Sequence, residues 1–242
     1  VSAGFAVGID DTDMPETAGT NQLALHLVRS LAADVEGYLI LRHQLLDDPR
    51  VPYTSRNGSA SIAMRARRPG LSVADLAGRI GDLMLPWCPE GSDPGLCVVA
   101  GEVPDLIRDF GRRCQHELVS QDDARALAAR HGIHLEGLGG TEGGVIGALA
   151  AVGLLAGGDD GRVIHFGPVC DDSYQNGGLY PVAALHALGI DEVRRDATGE
   201  VVTAGVVAFP KRLRPNRRGG RIVLFVAPAE GPGADWLALK RP

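Results

Sequence analysis

Residues 4–13, GFAVGIDDTD, join a short apolar run to three carboxylates in four positions, Asp10, Asp11 and Asp13. The run up to Ile9 reads as a buried strand. The polar stretch DDTDMPETAG then turns into a helix expected from about Asn21 to Ala33. Leu23, Leu27, Val28 and Leu31 supply its apolar face, and Thr20 is its expected N-cap. Strand, turn and helix in this order are the repeating unit of an α/β protein.

Outward from that unit the alternation continues. Strands are expected at YLILRH (38–43), from about Ser59, at LCVVA (96–100), at VIHF (163–166), and in two valine-rich runs, 201–209 and 221–226. Helices are expected from Ser72, Pro104, Ser120 and Pro181, and in the apolar run VIGALAAVGLLA (145–156). The class is therefore mixed α/β (α+β). GGDDG (157–161) is the expected linker between residues 1–157 and a smaller αβ region, 158–242. That region either forms its own domain or returns strands to the first sheet.

Composition narrows the function. With 242 residues, 45% hydrophobic and 22% charged, the chain reads as soluble and globular. It has no apolar run of membrane-spanning length and no charged-then-apolar leader, so no membrane partner and a cytoplasmic location are expected. Cys88, Cys97, Cys114 and Cys170 form no CxxC pair for zinc or redox exchange. His131 and His134 have no further ligands near them and read as helix-end residues. No GxSxG nucleophile elbow occurs. A net charge of −6 argues against a large nucleic-acid surface. Of 24 basic residues only Lys211 and Lys240 are lysines. A phosphate held by the first two hundred residues must rely on arginine, backbone N–H groups or a metal ion, which excludes a Walker loop there.

Five stretches carry candidate chemistry, each with a plainer alternative. Asp10, Asp11 and Asp13 crowd the end of a strand, where they repel one another unless a cation or hydrogen bonds compensate. Magnesium suits them, because it takes a few carboxylates plus waters and phosphates; the alternative is a capping turn. GLGGTEGG (137–144), with Gly143-Gly144 opening the apolar helix, either brings backbone N–H groups to a phosphate or lets that helix pack closely. Arg56-Asn57-Gly58 is a tight turn that would aim an arginine at phosphate, or a surface hairpin. KRLRPNRRGGR (211–221), with six basic residues in eleven, could meet nucleic acid or be a solvated loop. Asp171 and Asp172 could receive an amine or guanidinium, or be a polar turn.

The order of these stretches is informative. GIDDTD followed by Gly19-Thr20, then VPYTSRNGSASIA, SDPG with CVVAGEVP, and GGVIGALAAVG, resembles the archaeal agmatinylcytidine synthetases over about the first 155 residues. Those enzymes modify the wobble cytidine of an isoleucine tRNA. The resemblance implies a kinase-like ATP-binding domain joined to a ferredoxin-like αβ sandwich. It implies ATP and Mg2+ as cofactors, phosphorylation of a carbonyl oxygen, and displacement of the phosphate by an amine such as agmatine. Asp10, Asp11 and Asp13 would then hold magnesium and the ATP phosphates. Thr20 would receive phosphate, with Asp11 and Arg56 beside it in catalysis. Asn57, Gly58, Gly143 and Gly144 would line the nucleotide site. Around Thr20 the family's GMCTTY-like stretch is AGTNQL here. The resemblance stops short of the OB-fold and zinc ribbon by which the family grips tRNA. A small-molecule acceptor is therefore expected, with tRNA a partner only if another chain or residues 211–221 supply the grip. A nucleotide-binding regulator without catalysis is the alternative, and a homodimer is compatible with either.

Overall fold

A computed structural model describes residues 4–14, 16–51, 57–167 and 177–241. Arg56, Asp171, Asp172 and Cys170 lie outside these residues. The chain is mixed α/β. Its apolar opening run forms β1 (Gly4–Asp10), flanked on both sides by antiparallel neighbours, β3 (Ala60–Ala66) and β4 (Gly95–Ala100). β2 (Val35–Arg42) and β5 (His134–Gly137) extend this part outward. β6 (Arg162–Phe166) pairs with β2, and the sheet continues through β10 (Asn216–Arg218), β11 (Arg221–Pro228), β12 (Trp236–Ala238), β9 (Val206–Phe209) and β7 (Gly178–Pro181). β8 (Glu192–Arg195) pairs in parallel with β11.

Alternation along β1 sorts the two faces of the sheet. Phe5, Val7 and Ile9 point to the face covered by α1 (Thr20–Ser30) and α2 (Val73–Met84), in a core with Leu23, Leu27, Leu76 and Ile80. Ala6 points to the opposite face. There α3 (Asp105–Arg113), α4 (Gln121–Arg130) and α5 (Val145–Gly157) pack through Ile107, Phe110, Ala124 and Leu149. Small residues bring α5 directly onto the strand: a Cβ on Gly8 would lie 1.9 Å from the Ala148 carbonyl oxygen. A third core joins Leu39, Leu41 and Ala63 to Val163 and to Val182 and Leu185 of α6 (Val182–Ala187).

Several expectations are corrected. The N-cap of α1 is Gly19, without a side-chain cap, because the Thr20 hydroxyl is engaged by Thr12 and Asp13 instead of turning back onto the helix. The helix stops at Ser30, and turn hydrogen bonds from Leu31 to Val35 lead directly into β2. The valine-rich run 201–209 is strand only from Val206, after Gly205 at φ +104° breaks it. His134 opens β5 and contacts Glu136 at 3.2 Å, so it is a strand residue. Ser72 and Ser120, by contrast, cap α2 and α4 as expected, each in a reciprocal capping box.

GGDDG is tied down on both sides. Asp160 bonds to His43, Asp159 accepts from the Gly219 N–H at 2.7 Å, and the Gly158 carbonyl accepts from Gly220 at 2.8 Å. The basic run 211–221 likewise folds into β10 and the turn to β11, where Arg221 pairs with Glu192 and Arg218 donates to the Asp159 carbonyl. No helix among the described residues is long and apolar enough to cross a membrane.

Candidate functional site

At the carboxyl end of β1 a cavity of about 270 Å³ opens between the strand ends and the start of α5. Asp11 takes a left-handed φ of +52°, a conformation that aspartate tolerates. Asp10, Asp11, Asp13, Thr20, Asn57, Gly58 and Gly143 all border the cavity, although they come from separate stretches of chain. Gly144 stands behind the wall. A Cβ there would lie 2.5 Å from the Asp93 carbonyl and 2.6 Å from the Gly95 nitrogen, so its role in this structure is close packing.

The carboxylates are strained electrostatically. Burial, then the charge of Asp11, with Asp13 adding to it, pushes Asp10 up to about 7. Burial, then Asp93 and Asp13, raises Asp11 to about 6. Asp13 is raised too, by burial, with the Thr20 hydroxyl bond acting against it. That hydroxyl accepts from Thr12 at 3.0 Å and donates to Asp13 Oδ1 at 3.3 Å, which orients its oxygen at the cavity edge.

Among the described residues no three His, Cys, Asp or Glu side chains converge as a ready-made metal cluster. The donor chemistry nevertheless fits a magnesium ion arriving with phosphate, which needs only one or two carboxylates and completes its shell with water and phosphate oxygens. A cation there would offset the burial and the mutual repulsion that raise Asp10 and Asp11.

Other cavity residues carry no obvious mark in the sequence. Asp93 accepts from the Thr141 N–H at 2.5 Å and from the Thr141 hydroxyl at 2.7 Å, and its own carbonyl accepts from Gly144 at 2.9 Å. It thereby clasps the glycine-rich turn against the strand ends. In sequence it reads only as part of the SDPG turn, because nothing local shows that antiparallel pairing puts Gly95 opposite Asp10. Leu45, Leu46, Val51, Leu118, Val119 and Ile146 also line the cavity. The site thus combines carboxylates with apolar side chains in one cavity, a lining that suits a nucleotide with its metal ion.

No family model matches the chain. Over 149 residues it is 31% identical to TiaS of Pyrococcus horikoshii, an isoleucine-tRNA 2-agmatinylcytidine synthetase, covering 61% of this chain and 35% of that protein. This chain is similar to the agmatinylcytidine synthetases. It spans about a third of the length of the curated relatives it matches. The fold agrees as well. The crystal structure of TiaS in complex with its isoleucine tRNA and ATP superposes with a TM-score of 0.54 at 23% identity, over 62% of this chain and 36% of that one. The complex of TiaS with the same tRNA, AMPCPP and agmatine does so with 0.51 at 23%, over 62% and 36%.

Proposed function

We propose that this chain is an ATP- and magnesium-dependent enzyme that phosphorylates a carbonyl or hydroxyl oxygen and readies it for displacement by an amine such as agmatine. Residues 1–157 would form the kinase-like ATP-binding region and residues 158–242 the smaller αβ region. The observation that carries this reading is that one cavity gathers Asp10, Asp11, Asp13 and Thr20 together with apolar side chains such as Leu45, Leu118 and Val119. Similarity to synthetases solved with ATP, an ATP analogue and agmatine supports it.

Bound magnesium would neutralise charge developing on the transferred phosphoryl group. Asp10 and Asp11 are the carboxylates suited to hold it. Asp13 accepts the Thr20 hydroxyl proton in a hydrogen bond, which suits Thr20 to receive phosphate. A carbonyl oxygen is a poor leaving group, and attaching phosphate makes it a good one. With no lysine before Lys211, the chain supplies position and backbone N–H groups, and the ion supplies positive charge.

Incubation with magnesium and γ-labelled ATP is expected to place phosphate on Thr20, read by peptide mass spectrometry. Thr20→Val should abolish it, and Asp11→Ala should lower it about 100-fold or more. No labelling, together with unchanged ATP consumption in Asp11→Ala, would reject the enzyme reading and leave a nucleotide-binding regulator.

A second reading makes the acceptor a tRNA cytidine, and it is favoured by what the relatives are named for. Salt-sensitive tRNA binding lost on neutralising Lys211, Arg212 and Arg214 would support it. Absence of any shift at low salt would remove it.

A further inference from the structure

A buried polar cluster lies behind the cavity wall. His43, which follows β2, is fully buried, with Nδ1 2.6 Å from Asp160 Oδ2 and Nε2 2.7 Å from the Ser61 hydroxyl. The order Ser, His, Asp is that of a nucleophile triad. Yet Ser61 and His43 are both 0% exposed and neither borders the cavity, so no substrate can meet that hydroxyl.

The cluster leads instead into the wall. Asp160 Oδ1 accepts from the Gln115 side-chain amide at 3.1 Å, and the same amide donates to the Gln44 carbonyl at 3.1 Å. The Gln44 side chain donates to the Asn57 carbonyl at 2.6 Å, and Asn57 donates to the Leu46 carbonyl at 2.8 Å. The backbone repeats the link, with the Leu45 N–H on the Asn57 carbonyl at 3.0 Å. Leu45, Leu46 and Asn57 all border the cavity. Gly161, at φ +103°, is required at the other end, where a Cβ would come within 3.0 Å of His43. Burial works against the Asp160 carboxylate, but the hydrogen bond and charge of His43, helped by Gln115, hold it below its ordinary value.

We propose that His43 and Asp160 are positioning residues that hold the wall of the cavity formed by Leu45, Leu46 and Asn57, against which the base of a nucleotide rests. The wall is thus set by a residue of the 157–161 segment, more than a hundred positions away in sequence. The ligand part of this inference rests on the ATP reading; the wall part does not.

The experiment compares the full-length protein with Asp160→Asn, with His43→Asn, which keeps a donor toward Asp160, and with Asp159→Asn as a control. Amide hydrogen exchange is read without ligand. Calorimetry is run with magnesium and either a non-hydrolysable ATP analogue or inorganic tripolyphosphate. Asp160→Asn is expected to speed exchange at Leu45 and Leu46 by about tenfold while β1 and β4 keep their rates, the effect of weakening one charge-assisted bond. It should weaken the analogue by about tenfold and leave tripolyphosphate unchanged. His43→Asn should fall between, and Asp159→Asn should match the natural protein. Unchanged exchange at Leu45 and Leu46, or equal acceleration everywhere, overturns the positioning role. Equal weakening of both ligands, or of neither, overturns the link to the base. If the natural protein binds no analogue at all, the ATP reading fails while the exchange data still decide the wall.

Discussion

Asp10 and Asp11 are neighbours in sequence with different tasks in the fold: Asp10 is wedged beneath Gly147 of α5, and Asp11, turned by its left-handed backbone, adjoins Asp93. Both carboxyls are raised, so the folded form holds protons that the unfolded chain releases. The resulting penalty is absent below the ordinary carboxylate value of 3.8, grows as pH rises, and is complete above about 7. Ligand-free protein is therefore expected to melt at lower temperature at pH 8 than at pH 5.5. Asp10→Asn should flatten that slope and stabilise the protein at pH 8 by about 2 kcal/mol or more. Magnesium should raise the Tm more at pH 8 than at pH 5.5, because only the ionised pair attracts it. Thermal melts across pH, with and without magnesium, check all three.

At the scale of elements, the glycine-rich turn and α5 serve two ends at once. Gly143 borders the cavity, while Gly8, Gly144, Gly147 and Gly153 let backbone or carboxylate approach where a Cβ would collide. The two sequence alternatives for this segment, phosphate cradle and close packing, are therefore compatible. Gly8→Ala would force a methyl into the Ala148 carbonyl and should cost about 2–4 kcal/mol in denaturant unfolding. Asp93→Ala removes both side-chain bonds of the clasp on this turn, and Thr141→Val removes the hydroxyl bond while keeping the N–H one. Asp93→Ala should weaken binding of a magnesium–ATP analogue about tenfold, Thr141→Val by less, and the double variant little more than Asp93→Ala alone. Additive losses would instead mean that Asp93 acts separately, for instance on the metal ion.

Across the whole molecule, β6 joins the first strands to the C-terminal ones, and Leu39, Leu41 and Ala63 depend on Val163, Val182 and Leu185 for cover. A fragment ending at Gly157 would expose that apolar face and the hydrogen-bonding edge of β2. It is expected to aggregate or to lose near-ultraviolet circular dichroism. A soluble, sharply melting fragment would show that the third core is dispensable to the cavity region. The tie from Asp160 to His43 makes the same point at finer grain, since the segment that reads as a linker is hydrogen-bonded into the interior.

Local chemistry determined much of this protein. Apolar periodicity marked β1, α2, β4 and α5, serines at Ser72 and Ser120 announced their capping boxes, and crowded carboxylates after Ile9 announced a charged site. These signals are legible because each acts over a few residues of contiguous chain. Thr20 was legible as a polar residue before a helix but not as a partner of Asp13, since which acceptor a hydroxyl chooses depends on the fold of the turn. Asp93, Thr141, Leu45 and Leu46 were invisible as site residues, because antiparallel pairing of β1 with β4 and β3 alone brings them together with the aspartates and Asn57. Only the tertiary structure decided that the site's back wall is pinned by Asp160, because long-range hydrogen bonds leave no periodic trace along the chain.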